Sequence, residues 1–183
     1  MSTEIRERYD VVLLVEQTLS SQDARQVRSL HEGLDAEVVY HVLLPMADAA
    51  AAVEASLGAM GGVDMMATPM TPSPDDIDAL REENQERAER ELAETVAALE
   101  AAGATIGTSQ VVAGPAVDAL IDTVKAQGGQ EAIVLTRSHV VAEFFHVDWT
   151  SRARRKLGVP VLHLLEHENF DEQAGGGEGI TGA

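Results

Sequence analysis

Residues 10–15 read Asp-Val-Val-Leu-Leu-Val, a short apolar run typical of a strand buried on both faces of a sheet. A polar stretch follows it, in which Ser20 or Ser21 is placed to cap a helix. The next apolar residues are spaced by three or four, as on one face of that helix: Ala24, Val27, Leu30 and Leu34. A buried strand followed by an amphipathic helix predicts the first unit of an α/β protein.

The same alternation continues to residue 165. Further apolar runs predict strands at 36–44, 105–112, 131–135 and 159–165. Capping signals and apolar spacing predict further helices over about 73–102, 115–128 and 150–157. Five strands alternating with four helices predict a parallel sheet inside a three-layer α/β/α sandwich, a Rossmann-like architecture.

The composition excludes several classes of function. The 183 residues include 31 Asp and Glu against 13 Lys and Arg, a net charge of -18, which disfavours nucleic acids and acidic membranes as partners. There is no cysteine, so disulfides, thiolate zinc sites and cysteine nucleophiles are excluded. The N-terminal residues show no secretory signal and no apolar run approaches the ~20 residues of a membrane helix, so we expect a cytoplasmic protein.

Much of the negative charge lies outside the predicted core. Residues 75–100 hold ten acidic residues and three Arg, and residues 166–183 hold five acidic residues with no Lys or Arg. We therefore predict one domain over residues 1–166, with a Gly-, Met- and Pro-rich variable loop at 46–74. Residues 167–183 are predicted to form a disordered acidic, Gly-rich tail.

Ligands of open parallel sheets bind beyond the carboxyl ends of the strands, where the strand order reverses. In this chain those ends fall near Glu16–Thr18, Val42–Pro45 and Thr136–His139. We expect any functional site at this edge. No Ser–His–Asp arrangement and no pair of catalytic acids can be argued from spacing alone.

Short motifs along the chain occur in an order that resembles the universal stress protein family. They are Val15-Glu16-Gln17-Thr18, His41-Val42, Gly114-Pro115, Glu131–Thr136 and Val159-Pro160-Val161. The resemblance covers roughly residues 9–166. It implies the adenine nucleotide alpha hydrolase-like fold with strand order 3-2-1-4-5. It also implies a stress-linked regulatory protein that forms a homodimer through its last strand, Val159–Leu165, and contacts an unidentified protein partner.

The nucleotide loop of that family reads Gly-x2-Gly-x9-Gly-Ser/Thr, and its spacing is kept here while its glycines are lost. Thr136, His139 and Trp149 stand at the glycine positions, and only the hydroxyl residue Thr150 is retained. Glycine lets backbone N–H groups approach a phosphate closely, so these replacements predict no efficient ATP binding and no bound cofactor. Phe144, Phe145 and Trp149 could stack on a base, but filling the cleft or forming an interface is the favoured interpretation.

The resemblance also implies which residues would line a nucleotide cleft: Glu16, Thr18, Val42, Thr136, Arg137, His139, Trp149, Thr150 and Ser151. The alternative function is therefore AMP or ATP binding through an altered phosphate loop. A nucleotide-dependent enzyme of the same superfamily would need an intact loop and metal-binding acids, which are not found, so we expect no enzymatic activity. The histidines show no zinc-ligand spacing, and no metal site is predicted.

Overall fold

A computed structural model describes residues 7–46, 74–136 and 156–165. Five strands form one sheet: β1 (Glu7–Val15), β2 (Ala36–Pro45), β3 (Thr105–Val112), β4 (Glu131–Thr136) and β5 (Val161–Leu165). All neighbours pair in parallel, in the order β3-β2-β1-β4-β5. The predicted fold class and strand order are confirmed.

Three helices connect these strands: α1 (Ser21–Ser29), α2 (Pro74–Ala101) and α3 (Ala116–Gln127). Of the fourth predicted helix, only Lys156 and Leu157 are described, and both are helical. Most of the 46–74 loop and the whole 167–183 tail lie outside the described residues.

The core has two layers, one on each face of β1. Val11, Leu13 and Val15 pack with α1 and α2 on one face, and Val12 and Leu14 pack with α3 on the other. All but Leu14 are fully inaccessible to solvent. Burying one such side chain stabilises a fold by about 1.5–3 kcal/mol, which explains why this run is apolar at every position.

Helix α1 begins as predicted and ends earlier than predicted. The Ser20 side chain accepts the backbone N–H of Asp23, and the Asp23 side chain accepts the backbone N–H of Ser20, which forms a capping box. The helix ends at Ser29 and turns follow it. The prediction that Leu34 lies on the buried helix face is therefore wrong, since Leu34 is 44% exposed.

Helix α2 spans nearly the predicted range. Residues 81–91 are almost all charged, which predicts that the first half of this helix is a solvated extension. Asn84 and Ala88 are nevertheless buried, so this half also has an inward face. Among the described residues, no helix is long and apolar enough to cross a membrane.

Candidate functional site

The carboxyl ends of β1 and β4 meet where the strand order reverses. The backbone N–H of Glu16 donates to the carbonyl of Leu135 at 3.2 Å, which brings Glu16 beside the end of β4. The chain runs from β1 outward to β3 and then returns to place β4 on the other side of β1. This is the switch point at which α/β proteins bind ligands.

The loop after β1 is held in place by α2. The backbone N–H of Leu19 donates to the Thr95 hydroxyl at 3.1 Å, and both residues are buried. Thr18 and Glu16 lie just before this anchor and are half-buried. Both residues therefore lie at the carboxyl edge of the sheet.

Thr136 is buried at the end of β4, and its hydroxyl lies 2.8 Å from Nε2 of His163 on β5. Burial lowers the pKa of His163, so its imidazole is neutral at neutral pH and Nε2 can accept the Thr136 hydroxyl proton. Thr136 occupies the first glycine position of the loop that the sequence resembles. The sequence pattern does not indicate this contact, because Thr136 and His163 lie on different strands.

The other predicted cleft residues fall into two groups. Val42 is completely buried in the core that α1 and α2 cover, so its side chain does not line the edge. The remaining five lie outside the described residues: Arg137, His139, Trp149, Thr150 and Ser151.

A second polar arrangement crosses the face of the sheet on which α3 packs. Nε2 of His41 lies 2.8 Å from Oδ1 of Asp10, and Nδ1 of His41 lies 2.8 Å from the Thr108 hydroxyl. Arg8 donates from Nε to both Asp10 oxygens at 2.9 Å. Burial alone would raise the pKa of Asp10, but hydrogen bonds from Arg8 and His41 outweigh it and keep that pKa below its ordinary value.

Gly107 makes room for this arrangement. The register between β2 and β3 shifts from Tyr40–Ile106 to His41–Thr108, which leaves Gly107 as the extra residue of a bulge. A Cβ atom on Gly107 would lie 2.6 Å from Cε1 of His41 and 2.7 Å from Cγ1 of Val39. Glycine is therefore the residue that lets His41 lie beneath β3.

A third polar cluster lies on the opposite face of the sheet. Nδ1 of His31 is 2.8 Å from the Tyr40 hydroxyl, and its Nε2 is 3.2 Å from Oε2 of Glu131. The Tyr9 hydroxyl donates to the same Glu131 oxygen at 3.2 Å. Burial raises the pKa of Tyr40 to about 12, so Tyr40 stays protonated and can donate.

Both clusters were missed because their members are far apart in sequence. Asp10 and His41 are polar residues inside otherwise apolar strand segments, and a buried polar group needs a partner. That signal could have marked each of them as paired. It could not have named the partner, which depends on register.

The described residues also form a groove that lies apart from the predicted cleft residues. An open groove of about 640 Å³ lies between α1 and α2, with Arg25 and Glu32 on one wall and Ala98 and Ala102 on the other. It includes none of the predicted cleft residues. Within the described ranges, no three His, Asp or Glu side chains are grouped to hold a metal ion.

No protein-family model matches the chain, and no curated protein matches it. Solved structures do align with it. The hypothetical protein MJ0577, whose biochemical function was assigned from its structure, shares 13% identity over 88% of this chain and 99% of its own, with a TM-score of 0.53.

Universal stress proteins are also among the structures to which the chain is similar. One from Arabidopsis thaliana, solved with AMP bound, is 14% identical over 90% of this chain and 94% of its own, with a TM-score of 0.48. One from Archaeoglobus fulgidus is 12% identical over 85% of this chain and 93% of its own, also with a TM-score of 0.48. The chain thus has a five-stranded parallel α/β fold, in agreement with its alignment to MJ0577.

Proposed function

We propose that this chain is a divergent, universal stress protein-like binding protein that regulates partners through protein contacts, pairs as a homodimer and binds ATP inefficiently. The fold and the position of the switch point support the general class. The Thr136–His163 contact carries the finer proposal, since it fixes a side chain where the resembled family has glycine.

The loss of ATP binding follows from what a phosphate loop needs. Successive backbone N–H groups must approach the phosphate, and glycine allows both the approach and the required backbone conformations. At the start of this loop the chain has a buried threonine whose hydroxyl lies against His163. His139 and Trp149 replace the other two glycines.

Thermal unfolding with millimolar ATP·Mg²⁺ or AMP tests this part of the proposal. We expect no shift in Tm with either nucleotide. A ligand present at one hundred times its Kd would stabilise the protein by about 2.7 kcal/mol, so tight binding could not be missed. We expect the double variant His139→Gly, Trp149→Gly to gain a shift if glycine loss is the cause.

The alternative function is AMP or ATP binding through an altered loop. One observation favours it: Glu16 and Thr18 lie half-buried at the switch point, where parallel α/β sheets bind their ligands. A nucleotide-dependent rise in Tm of the unmodified chain, lost in Glu16→Ala, would establish this alternative and overturn the main proposal.

The homodimer is proposed to form through β5, which is one edge of the sheet. Val161 and Leu162 on this strand are half-buried and apolar, and an exposed edge of this kind can pair with another strand. Light scattering at micromolar protein should give the mass of two chains. Val161→Lys should give one chain, while Gln110→Lys on the opposite edge strand, β3, should leave the pair intact.

A further inference from the structure

Three side chains on three neighbouring strands form a hydrogen-bonded chain of the kind that activates a hydroxyl group. Thr108 on β3 and His41 on β2 are register partners, and the Thr108 hydroxyl lies 2.8 Å from Nδ1 of His41. The other imidazole nitrogen lies 2.8 Å from Asp10 on β1. A carboxylate that orients an imidazole, which in turn faces a hydroxyl, is the arrangement of an activated nucleophile.

The contacts of Asp10 determine which nitrogen of His41 faces the hydroxyl as an acceptor. Arg8 donates to both oxygens of Asp10, which favours the ionised carboxylate. An ionised carboxylate can only accept, so the proton between Asp10 and His41 belongs to Nε2 of His41. With Nε2 as the donor to Asp10, Nδ1 is the ring nitrogen that faces the Thr108 hydroxyl, which is the place of a general base.

The three residues also differ in burial, from the interior of the sheet to its exposed edge. His41 is 1% exposed and Asp10 is 8% exposed, whereas Thr108 is exposed on the edge strand β3. The bulge at Gly107 sets the register that places Thr108 opposite His41. Bulges of this kind often re-aim side chains next to active sites.

We propose that Thr108 is an acyl-acceptor site, activated by His41, whose substrates are activated carboxylic esters. Thr108 Oγ1 forms a bond to the acyl carbon while the bond from that carbon to the leaving oxygen breaks. The hydroxyl proton moves to Nδ1 of His41 and from there to the leaving oxygen, which departs as an alcohol or phenol. The same imidazole then takes a proton from water, whose oxygen forms a bond to the acyl carbon. The bond from that carbon to Thr108 Oγ1 breaks, the proton passes from Nδ1 to Oγ1, and the carboxylic acid is released.

Thr108 and His41 are the catalytic residues in this step, because both touch the atoms that react. Asp10 and Arg8 are positioning residues: Asp10 fixes the tautomer of His41, and Arg8 keeps Asp10 ionised. None of the four residues belongs to the carboxyl-edge cleft, so this activity is independent of nucleotide binding.

Incubation of the full chain with p-nitrophenyl acetate tests the proposal. Release of p-nitrophenolate measures acylation, and peptide mass spectrometry locates the acetyl group. We expect the acetyl group on Thr108. Thr108→Val should abolish that adduct and Thr108→Ser should retain it. Ser109→Ala, which removes the neighbouring hydroxyl on the same strand, is the matched control and should leave the reaction unchanged.

The supporting residues are tested by rate and pH dependence. His41→Gln should slow acylation of Thr108 by about a hundredfold, the typical contribution of a general base. Asp10→Asn should also change the pH at which the rate is half-maximal, an effect that a merely structural role does not produce. Because His41 is buried, Thr108→Val decides the matter if His41→Gln fails to fold. Acetylation confined to lysines or the N-terminus, or an unchanged Thr108→Val reaction, would overturn the proposal.

Discussion

Gly107 is the residue whose replacement the structure forbids most directly. In Gly107→Ala, the added methyl group would lie within 2.7 Å of both His41 and Val39, so β3 must shift or His41 must leave its place. Overpacking of this kind costs about 1–3 kcal/mol. We expect a lower urea midpoint for this variant. Gly33→Ala is the control, because no atom lies within 4 Å of a Cβ built there, and equal losses in both variants would refute the steric explanation.

Glu131 makes the stability of the protein depend on pH. Hydrogen bonds from His31 and Tyr9 outweigh burial and hold the pKa of Glu131 below its ordinary value. A carboxyl whose pKa is lowered by folding stabilises the fold above its unfolded pKa of about 4.3, and this stabilisation disappears as the pH falls through its folded pKa.

Glu131→Gln should therefore destabilise the protein at pH 7 by about 1.5–3 kcal/mol, the range for hydrogen bonds to charged groups. The free-energy difference between wild type and variant should shrink as the pH falls below about 4. Urea unfolding at a series of pH values measures both quantities. A difference that stays constant from pH 7 to pH 3 would rule out this role for the Glu131 carboxylate.

At the scale of elements, the start of α1 depends on its capping box. Ser20→Ala removes the oxygen that accepts the Asp23 N–H, and we expect it to cost about 1 kcal/mol of unfolding free energy. Ser29→Ala at the other end of the helix removes only an exposed hydroxyl bonded to the Gln26 carbonyl at 2.8 Å. It should be nearly neutral in the same thermal unfolding measurement, and an equal loss in both would argue against the capping role.

Sequence patterns predicted most of the elements because apolar spacing reflects which side chains are buried. Strand β3 was predicted over the same residues that the structure shows, and the first and last residues of α2 differ by about one. The end of α1 was predicted too late in the chain. Leu34 continues the helical spacing of apolar residues, although the helix itself ends at Ser29 and turns follow it. The carboxyl edge was also predictable, since parallel connections place all the strand ends together.

The polar clusters were not predictable, because each joins residues through strand register. Asp10, His41 and Thr108 lie on three strands, and their contact depends on a shift of one residue at Gly107. Spacing in the sequence carries no trace of that shift. Val42 shows that a motif can also mislead. The resemblance predicts Val42 at the cleft, whereas the structure buries its side chain in the core.

For the whole molecule, unbalanced charge is a source of instability that salt should relieve. The net charge is -18, and residues 75–100 carry ten acidic residues against three Arg. The ion pairs on α2 are exposed, such as Arg90–Glu86 at 3.9 Å, and exposed pairs contribute little. Raising NaCl from about 10 to 150 mM shortens the Debye length from roughly 30 to 8 Å, so we expect a higher Tm.

The contribution of α2 to this salt effect can be isolated. The triple variant Glu82→Gln, Glu83→Gln, Glu94→Gln removes three exposed charges and should show a smaller rise in Tm with salt. Glu→Asp at the same three positions keeps the charge and should preserve the rise seen in wild type. An identical salt response in the Gln and Asp variants would show that the repulsion lies elsewhere.

The two edge strands of the sheet differ in how readily another strand could pair with them. Strand β3 ends the sheet with exposed polar residues at 108–110 and a bulge at Gly107, features that resist the addition of another strand. Strand β5 ends it in unbroken register with half-buried apolar residues. Another strand could therefore pair with β5 more readily than with β3. We therefore expect assembly through β5 to stop at the proposed pair of chains.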